Sequence, residues 1–381
     1  MVLRRIRAGE LTAEQPLPWP LYSQRNNLIL SEGSVLASEA LEALVDLGLF
    51  VEATPLWQRP PHTPLQTVLH ATARMAQLLA APEAQANFTV AIHHVVELIE
   101  QASRRNPAVL TATALLHRGG PSAARHAVNT ACIVAIVLEA MQASDTSRRG
   151  ILSAALTMNI GMHELHDALA NQSGPLSALQ QLIVTRHPTV GADRLAQLGV
   201  VDPLWLRAVL EHHEAVDGSG YPQGLRGEQV SAAAQLIGLA DLFCARVGER
   251  GYRDADDARL VLRDVLIERG RLFDGLQAAW FIRALGVYPI GTVVLLANGE
   301  VGVVSAHSGL VDAPWVHVLR ARDGSAYEQP LQRETRITEF AIVDTLSPSS
   351  LPVEIDLAAI WGDDAADYPL GIPTLLDALP G

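Results

Sequence analysis

The chain has no lysine; all 28 of its Lys-or-Arg residues are arginine. A permanently cationic contact to a phosphate must therefore come from a guanidinium group, which can bind such an oxyanion bidentately. Cysteine is nearly absent as well. Cys132 and Cys244 are the only two, both in apolar, helical-looking sequence. That excludes a disulfide framework and fits a reducing compartment. Charged residues make up only 18% of the chain and hydrophobic residues 49%, the balance of an ordered globular protein. The longest apolar run, Ala131 to Ala140, is interrupted by Glu139 and has roughly half the length a helix needs to span a bilayer. The amino-terminal arginines are not followed by the apolar core of a signal peptide. A soluble, cytoplasmic protein that does not engage a membrane is expected. The net charge of −13 argues against nonspecific binding to nucleic acid, and leaves room for a small anion in a local arginine pocket.

The 381 residues suffice for more than one domain. Residues 1–60 read as a small α/β module. Leu28–Leu30 is a strand entering a turn at Ser31–Gly33, and Ser38 to Leu47 has helical spacing, with Ser38 as N-cap and Gly48 as stop. Trp57 to Pro64 holds three prolines and reads as a linker. Over 65–286 apolar residues recur at three- and four-residue spacing, in Val68–Leu79, Ala91–Ile99, Ala127–Met141, Ile151–Met158, Leu176–Val184, Trp205–Leu210 and Ala232–Val247. This is a helical domain and makes the chain mainly α. Over 288–345 the period changes to that of strands. Asn298-Gly299 between Thr292–Ala297 and Glu300–Ser305 is a two-residue hairpin signal, and Arg322–Gly324 between Trp315–Arg320 and Ser325–Gln329 is a second. A small β-barrel-like module is expected there, followed over 346–381 by an extended tail rich in proline and acids.

The chemistry concentrates in one run, Glu211-His212-His213-Glu214-Ala215-Val216-Asp217-Gly218-Ser219-Gly220-Tyr221-Pro222-Gln223-Gly224-Leu225-Arg226-Gly227-Glu228. Two adjacent imidazoles stand among four carboxylates, and Gly218, Gly220, Gly224 and Gly227 let the loop approach a ligand closely. His93-His94 is a second adjacent pair, but it lies in an amphipathic helical stretch without such a context and reads as structural.

This run closely resembles the HHE…DGxGYPxGLxGE signature of the HD-GYP family, bacterial metal-dependent phosphohydrolases that open cyclic di-GMP. Other elements fall in the family's order. Arg125-His126-Ala127-Val128 resembles its first histidine, His187-Pro188-Thr189-Val190-Gly191-Ala192 its HPxxGA element, and Ala240-Asp241-Leu242-Phe243-Cys244-Ala245 its ADxFDA element with Cys244 in place of the second acid. Arg250-Gly251-Tyr252-Arg253 resembles the RxYR that follows. The likeness covers roughly residues 110–285. It implies a helical HD-type fold and metal positions at His126, Asn159, His187, His212, His213 and Asp241. It also implies a substrate loop with Gly220, Tyr221 and Pro222, and Arg226, Arg250 and Arg253 as phosphate contacts.

The departures matter as much. Where the family has its His-Asp pair and a nearby lysine, this chain reads Thr157-Met158-Asn159-Ile160-Gly161-Met162. Asn159 has one carbonyl oxygen and no charge, and the thioether of Met158 suits divalent iron or manganese poorly. Ala215 and Gln235 stand where the family carries arginines. One ion, iron or manganese, is expected at His187, His212 and His213 with the Asn159 oxygen, and a second weakly or not at all at His126 and Asp241. His166-Asp167 is also an HD dipeptide, eight residues late, and reads as a surface feature.

Three readings of function follow. The first is a cyclic di-GMP phosphodiesterase with an unusual metal site. The second is a member with weak or lost activity that binds metal, cyclic di-GMP or a related nucleotide, and a signalling protein partner. The third is an interaction scaffold whose flanking modules do the work. Loss of the bridging carboxylate favours the second.

Overall fold

The computed structural model describes residues 3–5, 21–23, 28–30, 34–37, 49–52, 63–170, 172, 174–248, 256–350 and 355–366. It divides into two compact units that part after residue 60. In the first unit, β1 (Leu3–Arg5), β2 (Leu21–Tyr22), β3 (Leu28–Leu30) and β4 (Phe50–Glu52) form an antiparallel sheet in the order β1-β4-β2-β3. The strand expected at Leu28–Leu30 is present; the helix expected over 38–47 and most of the linker lie outside the described residues.

The second unit opens with eleven helices among its described residues: α1 (Pro64–Ala80), α2 (Phe88–Arg105), α3 (Pro107–Leu116), α4 (Ser122–Ala140), α5 (Asp145–Thr157), α6 (His163–Ala170), α7 (Ala178–Gln197), α8 (Pro203–Glu211), α9 (Ala232–Val247), α10 (Ala258–Ile267) and α11 (Gly275–Leu285). Their starts are written locally. Thr63, Asn87, Asn106, Ser177, Asp202, Ser231, Asp257 and Asp274 each accept a backbone N–H of the first turn, a cap contributing about 1 kcal/mol. Helix α4 is the hub, packed against α1, α2, α3, α5, α6, α9 and α11. By length and composition alone α4 could cross a membrane, but its apolar side chains, Val128, Ile133, Val134 and Val137 among them, are buried in this core. Both cysteines are free thiols, and both are buried.

The carboxy-terminal sheet belongs to the same unit. Its strands β5 (Val293–Leu296), β6 (Val301–Ala306), β7 (Trp315–Arg320), β8 (Ala326–Glu334) and β9 (Ile342–Leu346) run antiparallel in the order β8-β7-β6-β5-β9. Tyr288, Ile290, Val294, Val304 and Val316 cluster with Ala112 of α3 and seat the sheet on the helical core. The tail is not wholly extended. A short helix, α12 (Leu357–Trp361), and the turn after it place Ile360, Trp361 and Ala365 against the sheet, α1 and α3, because those apolar groups have a core to join.

Candidate metal centre

Three backbone junctions place the histidines. Helix α7 contains Pro188, which has no N–H to give the carbonyl of Val184. That carbonyl accepts instead from Nδ1 of His187 at 2.6 Å. The His-Pro dipeptide therefore fixes its own imidazole tautomer. His212 caps the end of α8, where the last carbonyls lack helical donors, and its Nδ1 donates to the Val209 carbonyl at 2.7 Å. A Cβ on Gly161 would stand 2.3 Å from the His187 carbonyl oxygen and 2.7 Å from Gly191 N, so only glycine lets α7 approach the end of α5. A Cβ on Gly220 would stand 2.3 Å from Ala215 N and 2.5 Å from the His213 carbonyl oxygen. The glycine-rich loop thus folds directly onto the histidine pair.

With both Nδ1 atoms donating to carbonyls, both Nε2 atoms carry lone pairs, and they face each other at 3.2 Å. His213 completes the group: one ligand atom from each of His187, His212 and His213 lies within 4.8 Å of the others. Burial pushes His187 down to about 4, with His213 next to it adding to the effect. Burial first, then the neighbouring rings His213 and His187, holds His212 well below the ordinary histidine value. His213 is lowered as well, chiefly by burial. At neutral pH these are neutral imidazoles with converging lone pairs, an arrangement that repels itself unless a cation sits among them. The donor set fits a divalent metal.

The other residues expected at the site are brought to the same place. His126, Asn159, His212, His213 and Asp241 line one cavity of ≈ 730 Å³, and His187 is fully buried against His212. Asn159 Oδ1 is buried without a hydrogen-bond partner, an oxygen suited to a ligand role. Met158 is fully buried in the hydrophobic core. His126 Nε2 and Asp241 Oδ1 bond to each other at 2.6 Å. Burial would raise Asp241, but the bond and charge of His126 outweigh it and hold the carboxyl well below the usual range.

Tyr221 covers the group, its ring centroid 4.8 Å from that of His213. Glu214 is no free acid. Its carboxylate accepts Gln223 N at 2.6 Å, Gly224 N at 3.2 Å and Leu225 N at 2.9 Å, and so folds the loop. Glu211 likewise accepts Ser231 N and pairs with Arg207. Gly220 and Tyr221 line the cavity; Pro222 and Arg226 do not. Arg226 is exposed, with its side chain packed over Gly218. Arg250 and Arg253 lie outside the described residues. Gln235, standing in place of an arginine, is engaged structurally: its amide donates to Val230 O and accepts from Asp274 N.

One reading is corrected. His166 is not a surface feature: it is half-buried, lines the cavity and lies 5.2 Å, ring centroid to ring centroid, from His126. The signal in the sequence was its i+4 spacing from Met162, which puts both on one helical face. His93, by contrast, packs 5.9 Å from Trp205, consistent with a structural role.

Residues 98–275 match the HD domain family. A cyclic di-GMP phosphodiesterase of Pseudomonas aeruginosa is 27% identical over 281 residues, 73% of this chain and 67% of that protein. The cyclic di-GMP phosphodiesterase response regulator of Xanthomonas campestris pv. campestris is 32% identical over 149 residues, 37% of this chain and 38% of the relative. The chain carries an HD domain and is similar to cyclic di-GMP phosphodiesterases. A 3'3'-cGAMP-specific phosphodiesterase of Vibrio cholerae is 31% identical over 135 residues, 35% of this chain and 29% of the relative. The chain thus spans well under two thirds of the last two proteins. All three relatives are cyclic dinucleotide phosphodiesterases by name, and the HD domain of this chain carries a histidine cluster able to hold a metal ion.

Proposed function

We propose that this HD-domain protein binds a cyclic dinucleotide, cyclic di-GMP or a close relative, at a one-metal site in the cytoplasm, with phosphodiester hydrolysis slow or absent. The observation that carries the reading is the pair of Nε2 lone pairs facing each other at 3.2 Å, each ring tethered through Nδ1. His187, His212 and His213 would hold the ion, with the Asn159 oxygen beside them. Nitrogen and oxygen donors without thiolate suit iron or manganese. When bound, the ion supplies Lewis-acid stabilisation to a phosphoryl oxygen. The protein's own groups do the rest. Tyr221 shields the rings from water, Glu214 keeps the loop closed over them, and Asp241 holds His126 by its Nε2.

Hydrolysis is expected to suffer because two-metal phosphoryl chemistry needs a bridging anionic oxygen. Met158 is spent on the core, Asn159 is neutral, and Asp241 is bonded to His126. A second reading, full phosphodiesterase activity, is favoured by the orphaned Asn159 Oδ1 at the cavity wall. Protein purified without oxygen, assayed for metal content, cyclic di-GMP binding and linear product, separates the two. Binding with little turnover supports the proposal, and efficient turnover supports the second reading. Absence of both metal and nucleotide binding refutes both and leaves an interaction scaffold.

A further inference from the structure

We infer that Arg194 is a positioning residue for the metal centre: it latches the turn that carries Asn159 to the helix that carries His187, and so holds the Asn159 oxygen in place beside the trio. The inference rests on the metal-binding reading of the site and adds to it a residue outside the cavity lining. His187, Gly191 and Arg194 follow one another on α7 at spacings of four and three residues, and so share one face. Each meets the turn after α5 in its own way. The His187 carbonyl and the Gly191 N–H close on Gly161 so tightly that a Cβ there would stand 2.3 and 2.7 Å from them. Arg194 Nη1 donates to the Ile160 carbonyl at 3.4 Å and lies 3.3 Å from Nδ1 of His163, which is itself 3.0 Å from that carbonyl.

The rest of the guanidinium is fixed from outside. Its Nε and Nη2 donate to Glu83 Oε1 at 3.0 and 2.6 Å, and Glu83 sits on the short turn Pro82–Ala84 between α1 and α2. A surface ion pair of this kind contributes little stability by itself. What sets this one apart is that one planar fork joins three elements: the Pro82–Ala84 turn, α7 and the turn after α5. Asn159 depends on that last turn. Its Oδ1 is buried with no hydrogen-bond partner, so no bond at that oxygen aims it. The backbone does, through Ile160 N to Thr157 O and Met162 N to Asn159 O, both at 3.0 Å. Packing at Gly161 sets how near the turn comes to α7; the directional bond from Arg194 sets its register.

The test uses the full-length protein and Mn²⁺ alone, with affinity measured by chelator competition. Arg194→Met is expected to weaken Mn²⁺ binding about tenfold, the low end for loss of a group that orients a ligand. In an Asn159→Ala background, itself weaker than the parent, the same substitution is expected to cost nothing further, because the ligand it positions is gone. Glu83→Ala, at an exposed position, is expected to weaken binding about threefold, again only when Asn159 is present, and carries the same comparison if the methionine variant does not fold. Unchanged affinity in Arg194→Met would overturn the inference. An equal loss with and without Asn159 would do so too, by making Arg194 a general support of the fold. Unchanged affinity in Asn159→Ala would remove Asn159 as a ligand and the inference with it, leaving the trio standing. A parent protein that does not retain Mn²⁺ brings down the metal reading and the inference together.

Discussion

Glu214 provides the sharpest structural prediction. Its carboxylate collects three backbone N–H groups from Gln223, Gly224 and Leu225, two on Oε1 and one on Oε2, and the residue is almost fully buried. A hydrogen bond to a charged acceptor contributes about 1.5–3 kcal/mol, and an orphaned donor adds its own desolvation cost. Glu214→Gln keeps one oxygen for Gln223 and Gly224 but sets its amide N–H₂ against the N–H of Leu225. We expect a loss of roughly 2 kcal/mol confined to the loop, and roughly 4 kcal/mol for Glu214→Ala, where all three partners go. The unit that holds the loop is large, so a global unfolding energy is a poor readout. Amide hydrogen exchange reads local opening directly. Protection of the 223–225 amides should fall about 30-fold in Glu214→Gln, with the amides of α4 unchanged. Unaltered protection at 223–225 would refute the claim that this carboxylate builds the loop.

Other expectations can be checked alongside. Gly161→Ala drives a methyl into the backbone of α7; it should displace His187 and lower metal affinity at least tenfold, measured by chelator competition, and wild-type affinity would be contrary. In metal-free protein His187 sits at about 4 against an ordinary 6.5. The unfolded chain therefore takes up the proton first, and stability is full above pH 6.5 and falls as pH drops toward 4. The loss from this ring is roughly 3 kcal/mol, and a melting temperature that does not change between pH 7 and 5 would contradict it. Glu300, pulled down to about 2 by Arg333 and by Asn298 and Tyr327 against the cost of burial, ties β6 to β8. Glu300→Gln should destabilise the sheet by roughly 2–3 kcal/mol, seen as faster exchange of β8 amides. Asn159→Asp should restore a bridging anion, raising metal stoichiometry toward two and product formation with it; an unchanged metal count would show that the missing carboxylate is not the limiting loss.

Much of the site was legible because its residues carry local instructions. His187 is followed by Pro188, which releases the carbonyl its ring needs, and His212-His213 precede a loop whose Gly220 must touch them. The helices were legible from periodicity and from caps such as Asn106 and Asp202. What could not be read depended on distant partners. Strand β9 pairs with β5 far back in the chain, with no tight turn between them to announce the pairing. Helix α12 forms within an acidic stretch because Ile360 and Trp361 meet a sheet already built. His166 was passed over because a register match set against Met158-Asn159 leaves it eight residues late, while the short helix α6 turns it back into the cavity. Arg226 sits inside the loop motif, and its exposed side chain packs over Gly218 outside the cavity lining.

The central claim is that His187, His212 and His213 form a single high-affinity metal site. The most direct measurement is metal content by inductively coupled plasma mass spectrometry on protein purified without oxygen, beside His212→Ala prepared identically. The account predicts close to one iron or manganese per chain in the parent and almost none in the variant. Two equally retained ions in the parent, or an undiminished ion in His212→Ala, would contradict it.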